Sequence, residues 1–152
     1  MKTRIILQTV LVMLVIAQTL HAAAAEQFNV PADRLAVVGY DPVSYFDGKP
    51  TKGDERWTLK IDGIVYRFAS NSNLQRFITE PAKFKPTYGG WCATAMAMGE
   101  KVEIDPLNYK ITDGRLFLFY NGFWGNAIKD WNKSESKLTT DADRSWKKIS
   151  GE

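Results

Sequence analysis

Two of the three Asp-Gly dipeptides in this chain of 152 residues place the strongest constraint on how it can fold. Asp62-Gly63 lies between the alternating apolar runs 57–61 and 64–68, and Asp113-Gly114 lies in a second such pattern over 111–120. An Asp-Gly pair between two strands favours a type I′ turn, because both central residues of that turn adopt positive φ angles. The sequence therefore predicts two β-hairpins.

Helix signals surround the two hairpins. Apolar residues spaced three and four positions apart, with capping residues before them and glycines after them, indicate short amphipathic helices. The predicted helices begin at Asp41 as N-cap with Pro42 in the first turn, at Ser70 or Asn71, and at Pro81, and they span 91–98, 123–131 and 141–149. No repeated tract is expected. The expected fold is a single α+β domain, a small antiparallel sheet of β-hairpins covered by short helices.

The first residues have the three-part pattern of a secretory signal peptide. Lys2 and Arg4 precede an apolar run over 5–17, and the small residues 22–25 come before Glu26. A basic start, an apolar centre and small residues at the cleavage position are typical of a leader that is removed on export. We therefore expect a periplasmic or secreted protein.

The leader also sets the expected domain boundaries. We expect a signal helix over 1–25 that is cleaved near Ala25, an extended lead-in over 26–37 and the folded domain over 38–149. The alternative is an uncleaved membrane anchor, since the uncharged stretch is long enough to span a bilayer. Alanines and polar residues fill its second half, which favours cleavage and no stable membrane anchor afterwards.

Cleavage would restrict the chemistry of the mature chain. It removes His21, the sole histidine, and leaves Cys92 as the sole cysteine. Catalysis by Ser-His-Asp or Cys-His groups, imidazole-based zinc sites and an intramolecular disulfide are then excluded. Loss of Lys2 and Arg4 leaves 18 basic and 17 acidic residues, a formal charge of +1, so no nucleic-acid partner is expected. A non-catalytic protein is favoured over an enzyme.

Several short motifs, in a consistent order, resemble a known family. They are Gly-Tyr-Asp-Pro-Val-Ser-Tyr-Phe over 39–46, Asp-Gly-Ile-Val-Tyr-Arg-Phe-Ala-Ser over 62–70 with Phe77 and Pro-Ala-Lys-Phe over 81–84 behind it, Tyr-Gly-Gly-Trp-Cys-Ala over 88–93, and Asp-Gly-Arg-Leu-Phe-Leu-Phe-Tyr-Asn over 113–121. Together they are similar to the exported bacterial YHS domain-containing proteins. The likeness runs from about residue 38 to residue 146.

The resemblance implies a binding or accessory protein connected with metal handling, copper included. In YHS domains, cysteines at the Asp-Pro-Val-Cys and Phe-Cys-Ser positions are the expected ligands. Ser44 and Ala69 stand at those two positions here. Alanine binds no metal, and a serine hydroxyl is a poor ligand for a soft one. The usual YHS metal site is therefore missing from this chain.

Cys92 and Met96 are the candidate metal ligands that remain. They lie four residues apart, so a helix would place them on one face. A thiolate and a thioether suit Cu(I). Met98 would lie about 200° around the same helix from Met96 and would join them only if the helix ended early. The alternative is ordinary core packing, for which methionine and cysteine are both well suited.

Cys92 also has a redox interpretation. It lies near the start of a predicted helix just after Gly89-Gly90, a position that lowers the pKa of a thiol. No Cys-x-x-Cys partner exists, so a thiol-dependent redox protein of this kind would need an external thiol partner. A buried structural cysteine is the alternative.

The aromatic residues suggest a third kind of role. Six rings belong to the family-like motifs and could line a ligand groove or a surface for a protein partner. They are Tyr40, Tyr45, Tyr66, Tyr88, Trp91 and Tyr120. Core filling is the competing explanation in a domain without disulfides. A buried tyrosine hydroxyl needs a partner, and Asp41 and Ser70 are the expected candidates. The partner itself, whether a protein or a metal donor, is not identified by the sequence.

Overall fold

The computed structural model describes residues 27–31 and 33–151. The predicted signal peptide and its cleavage position lie outside the described residues, so both stay predictions. Within the described part of the chain, the helices are too short or too polar to cross a membrane.

The described chain alternates hairpins with short helices. The strands are β1 (Asp54–Ile61), β2 (Ile64–Phe68), β3 (Asp105–Thr112), β4 (Arg115–Phe119), β5 (Asn121–Gly122) and β6 (Gly125–Asn126). The helices are α1 (Asn71–Thr79), α2 (Pro81–Phe84), α3 (Ala93–Ala97), α4 (Ile128–Lys133) and α5 (Glu135–Ser150). Two tight turns, Ala36–Gly39 and Thr87–Gly90, precede the segments that lead into β1 and β3.

The structure is α+β, as predicted. In the part of the chain that is described, β1 pairs with β2, β3 with β4 and β5 with β6, all antiparallel, as three separate two-stranded sheets. Asp62 and Gly63 have φ angles of 51° and 79°, and Asp113 and Gly114 have 50° and 71°. Both Asp-Gly pairs therefore form the predicted turns with two positive φ angles.

Three predicted helices are confirmed, because their boundary signals are local. The Ser70 hydroxyl accepts a hydrogen bond from the Asn73 amide at 3.2 Å and caps α1. Pro81 occupies the first turn of α2, where its missing N–H costs no hydrogen bond. The small-residue helix α3 ends just before Gly99, which has a φ angle of +79°.

Two other helix predictions are wrong, and in a third the predicted helix begins too late in the sequence. Residues 42–48 form consecutive turns, in which the Ser44 amide donates to the Asp41 carbonyl, instead of a helix. Residues 121–126 form the β5–β6 hairpin, so the helix predicted over 123–131 starts only at Ile128. The last helix, predicted over 141–149, begins six residues earlier at Glu135.

The second half of the described chain repeats the first at a constant spacing. β1 starts at Asp54 and β3 at Asp105, a difference of 51 residues, and the same spacing separates β2 from β4. The strand register breaks just after Asp54 in one hairpin and just after Asp105 in the other. The expectation that the chain has no repeat is therefore wrong. We call residues 36–79 the first repeat and residues 87–133 the second.

Backbone contacts recur at the same spacing. The Asp41 amide donates to the Thr51 carbonyl at 2.9 Å, and the Cys92 amide donates to the Val102 carbonyl at 3.0 Å. Val37 and Tyr88, also 51 residues apart, have left-handed φ angles of 51° and 57°. Between 36–68 and 87–119 the identical residues are Gly39 and Gly90, Gly48 and Gly99, Asp54 and Asp105, Asp62 and Asp113, Gly63 and Gly114, and Phe68 and Phe119.

Each repeat builds its own aromatic core. Phe68 packs on Phe77 of α1 with ring centroids 5.1 Å apart, and Phe119 packs on Trp131 of α4 at 5.5 Å. β4 serves both cores, since Leu116 and Leu118 lie in the first and Phe117 and Phe119 in the second. Burial on both faces of β4 holds the two repeats together.

Candidate functional site

A cavity of about 410 Å³ lies where the two repeats meet. Tyr66 and Ile64 of β2 line one side, and Tyr88 and Arg115 of the second repeat line the other. Trp146 of α5 contributes to the lining as well. We call this space the inter-repeat cavity. Ligand pockets in proteins commonly have volumes of roughly 300–1,000 Å³, and this one lies within that range.

The lead-in segment and Gly89 shape one wall of the inter-repeat cavity. The Asn29 amide donates to the Gly89 carbonyl at 2.9 Å, which fixes Phe28 against Trp146 with ring centroids 6.2 Å apart. A Cβ atom on Gly89 would lie 2.8 Å from the Trp146 ring and 2.9 Å from the Phe28 ring. Glycine at position 89 therefore allows both rings to approach the backbone.

An ion pair fixes the polar side of the inter-repeat cavity. Arg115 donates to both Asp143 carboxylate oxygens, at 2.6 and 3.2 Å, and the Tyr88 hydroxyl donates to the same carboxylate at 2.8 Å. Burial raises the pKa of Asp143, but the hydrogen bonds from Arg115 and Tyr88 outweigh it, so the pKa is lowered overall. Burial and the contact with Asp143 raise the pKa of Tyr88. Arg115 is therefore a cation that is held in place by its ion pair with the Asp143 carboxylate.

Two lysines also line the inter-repeat cavity. Lys83 pairs with Glu80 at 3.3 Å on the exposed side of α2. Lys85 is half-buried, and among the described residues its ammonium group forms no hydrogen bond or ion pair. A cation beside aromatic walls suits a ligand with an apolar body and an acidic group.

Cys92 and Met96 lie outside the inter-repeat cavity. Cys92 is the N-cap of α3 and Met96 is in the same helix, with 1% and 0% of their surfaces exposed. The Met96 amide donates to the Cys92 carbonyl at 2.9 Å, so the two residues are one helical turn apart as predicted. Met98 at the end of α3 is 67% exposed and does not join them in the core.

The burial of Cys92 bears on both of its predicted roles. An external thiol reaches a sulfur only after the structure around it opens, and the same holds for a metal ion. Within the described residues, no three His, Cys, Asp or Glu side chains form a group that could hold a metal ion. The Cu(I) site of Cys92 and Met96 and the redox role of Cys92 both stay predictions.

Asp41 is the most constrained carboxylate of the first repeat. It is fully buried, and its oxygens accept hydrogen bonds from the Val43 amide at 2.8 Å, the Ala69 amide at 2.8 Å and the Asn73 side chain at 2.6 Å. These contacts tie the turn over 42–48 to the end of β2 and the start of α1. Asp41 therefore has a structural role, in a turn and not as a helix cap.

The tyrosine hydroxyls have other partners than Asp41 and Ser70. Tyr45 donates to the Pro106 carbonyl at 2.8 Å, and Tyr88 donates to Asp143. Both bonds join parts of the chain more than fifty residues apart. Because the bonded residues are far apart in the sequence, no local sequence pattern predicted these two hydrogen bonds.

Comparisons of the chain with protein-family models, with curated proteins and with solved structures find no match.

Proposed function

We propose that the protein is an exported, non-catalytic binding or accessory module of the YHS type, and that its ligand occupies the inter-repeat cavity. The observation that carries this proposal is the cavity itself, about 410 Å³ in volume and lined by Tyr66, Tyr88 and Trp146. Export rests on the leader pattern of the sequence. The family rests on the motifs over 39–46, 62–70, 81–84, 88–93 and 113–121.

The lining supports a ligand of one chemical class. Aromatic rings provide apolar contact area, and Lys85 provides a cation whose charge no described side chain neutralises. Arg115 is already paired with Asp143. This pairing favours a role for Arg115 as a fixed part of the cavity wall, and not as a second group that binds the anion. We therefore propose a small ligand with an apolar ring or chain and one acidic group.

Titration with 1-naphthoate, compared with neutral 2-naphthol, tests the proposal. Backbone amide NMR shifts should change for residues around the cavity, such as Gly89 and Gly90, with both probes. Lys85→Gln should weaken naphthoate binding by about three- to tenfold and leave naphthol binding unchanged, because only the carboxylate loses a charged partner.

The matched control is Lys49→Gln, which removes an exposed lysine that does not line the cavity. It should bind both probes as the wild-type protein does. Absence of shifts around the cavity with either probe would refute the proposed ligand site. Equal weakening by Lys49→Gln would show that overall charge, and not Lys85, attracts the anion.

A further inference from the structure

The tip of the β5–β6 hairpin carries two solvent-exposed aromatic side chains. Phe123 is 90% exposed and Trp124 is 85% exposed, the highest values among the large apolar side chains that the structure describes. Their rings meet edge to face with centroids 4.9 Å apart. We call this pair the Phe-Trp tip. Apart from the contact between the two rings, their exposure leaves a large apolar area in water.

The base of the hairpin is held firmly. Buried Asn108 donates its side-chain amide to the Tyr120 carbonyl at 3.0 Å and to the Asn126 side-chain oxygen at 2.9 Å. Asn121 donates to Asp105 at 3.1 Å on the other side of the base. The two rings are therefore presented from a hydrogen-bonded support.

The turn itself is also shaped to expose the rings. The Trp124 amide donates to the Tyr120 hydroxyl at 3.3 Å, so this hydroxyl lies under the turn. A Cβ atom on Gly122 would lie 2.5 Å from that hydroxyl oxygen, which explains the glycine. Gly125 has a φ angle of +110°, a conformation that side chains rarely adopt.

The chain segment that carries the Phe-Trp tip contains no charged residue. From Leu116 to Ile128 the sequence contains no Asp, Glu, Lys or Arg. Entry of the tip into an apolar medium therefore requires no charged group of this segment to lose its water.

We propose that the Phe-Trp tip inserts into the interfacial layer of a lipid bilayer and holds the exported domain reversibly at a membrane surface. Two aromatic side chains bury roughly 300–500 Å² together, which is well below the roughly 800 Å² per partner of a specific protein interface. A convex, uncharged tip with an indole N–H suits the boundary between headgroups and acyl chains, where Trp is enriched.

Vesicle binding of the processed chain, recovered from the exported fraction and checked by mass, tests the proposal. The chain is mixed with phosphatidylcholine vesicles, and co-sedimentation is compared for wild type and the double variant Phe123→Ser/Trp124→Ser. The partition coefficient of the double variant should fall by at least about tenfold. Ile78→Ser, which removes another exposed apolar side chain on α1, should leave it unchanged.

Fluorescence locates the contact within the molecule. Brominated phosphatidylcholine should quench part of the tryptophan emission of the wild type. This quenching should disappear in Trp124→Phe, which keeps an aromatic tip and its binding. Equal partition of the wild type and the double variant would overturn the proposal. So would an absence of vesicle binding, and so would tip-dependent self-association in place of it, since that outcome assigns the tip to a protein partner.

Discussion

Asp41 and Cys92 occupy equivalent positions in the two repeats, 51 residues apart, but one side chain is a carboxylate and the other is a thiol. Each backbone amide closes the same turn, on the Thr51 carbonyl in one repeat and on the Val102 carbonyl in the other. Asp41 adds three hydrogen bonds through its carboxylate. Cys92 is buried beside a five-residue helix, α3, where the first repeat has only turns. The backbone path is common to both repeats, while the side chain decides how each is stabilised.

The repeats diverge again after their second strands. In the first repeat, Ser70 caps α1 directly, and Phe77 of that helix completes the core. In the second, the β5–β6 hairpin intervenes before α4, and Trp131 takes the place of Phe77 in the second core. The two repeats therefore have similar cores but different surfaces. The exposed Phe-Trp tip occurs only in the second repeat, which contains the β5–β6 hairpin.

Asp41→Ala should have the largest effect on stability, because it removes the carboxylate that distinguishes the first repeat from the second. The substitution leaves three buried or half-buried donors without an acceptor, and it should lower the free energy of unfolding by about 3–5 kcal/mol. Cys92→Ala at the matched position removes no hydrogen-bond acceptor of this kind and should cost about 1 kcal/mol. Urea unfolding followed by circular dichroism measures both. Equal losses would mean that the carboxylate does not carry the difference between the repeats.

Alkaline pH should affect the first repeat through Tyr66, whose counterpart in the second repeat is Phe117. Burial, with the nearby Asp62 charge, raises the pKa of Tyr66 to about 12. The folded state therefore holds this proton more tightly than the unfolded state, in which the pKa is about 10. Its contribution to stability is complete below about pH 10 and is lost as the pH rises through about 12.

Unfolding free energies measured from pH 9 to pH 12 check this expectation. The contribution of Tyr66 should fall by about 1.4 kcal/mol per pH unit above pH 10. Tyr66→Phe, which installs the residue of the second repeat, should make the decline shallower by that amount. An unchanged slope would show that other groups control alkaline stability.

The smallest changes in stability are expected for substitutions in the segments that follow β2 and β4. Ser70→Ala removes the N-cap of α1 and should cost about 1 kcal/mol. Phe123→Ser/Trp124→Ser changes two exposed side chains and should shift stability by less than about 0.5 kcal/mol. Thermal unfolding measures both. A large loss in the double variant would show that the tip also stabilises the fold, and the Trp124→Phe quenching comparison would then test membrane insertion.

The sequence predicted the elements whose signals lie within a few residues. The two hairpins, the Ser70 cap and the helix at Pro81 follow from turn and capping residues that act locally. The repeat was missed because identity between its halves is confined to a few turn residues and Phe68/Phe119. The helix predicted over 123–131 was misplaced because its aromatic residues suggested a buried face, whereas Phe123 and Trp124 point into solvent.

The candidate site depended on contacts between distant segments. The sequence singled out Cys92 and Met96, and it correctly placed them one helical turn apart, but the structure buries both. The inter-repeat cavity brings together β2, the turn over 87–90 and α5, and no local pattern indicates that juxtaposition. Of the six rings considered for a ligand groove, Tyr66 and Tyr88 line the cavity, and the other four do not.

The amino-acid sequence alone is enough to predict the α+β class, the positions of the Asp62-Gly63 and Asp113-Gly114 turns and the presence of a single cysteine, because each depends on residue identity or on neighbours along the chain. Three other features are visible only in the folded chain: the two halves repeat each other, β4 is buried on both faces, and the Asp41 carboxylate accepts three hydrogen bonds. These outcomes depend on which distant surfaces pack together, and packing is set by complementary shape and by the satisfaction of buried polar groups.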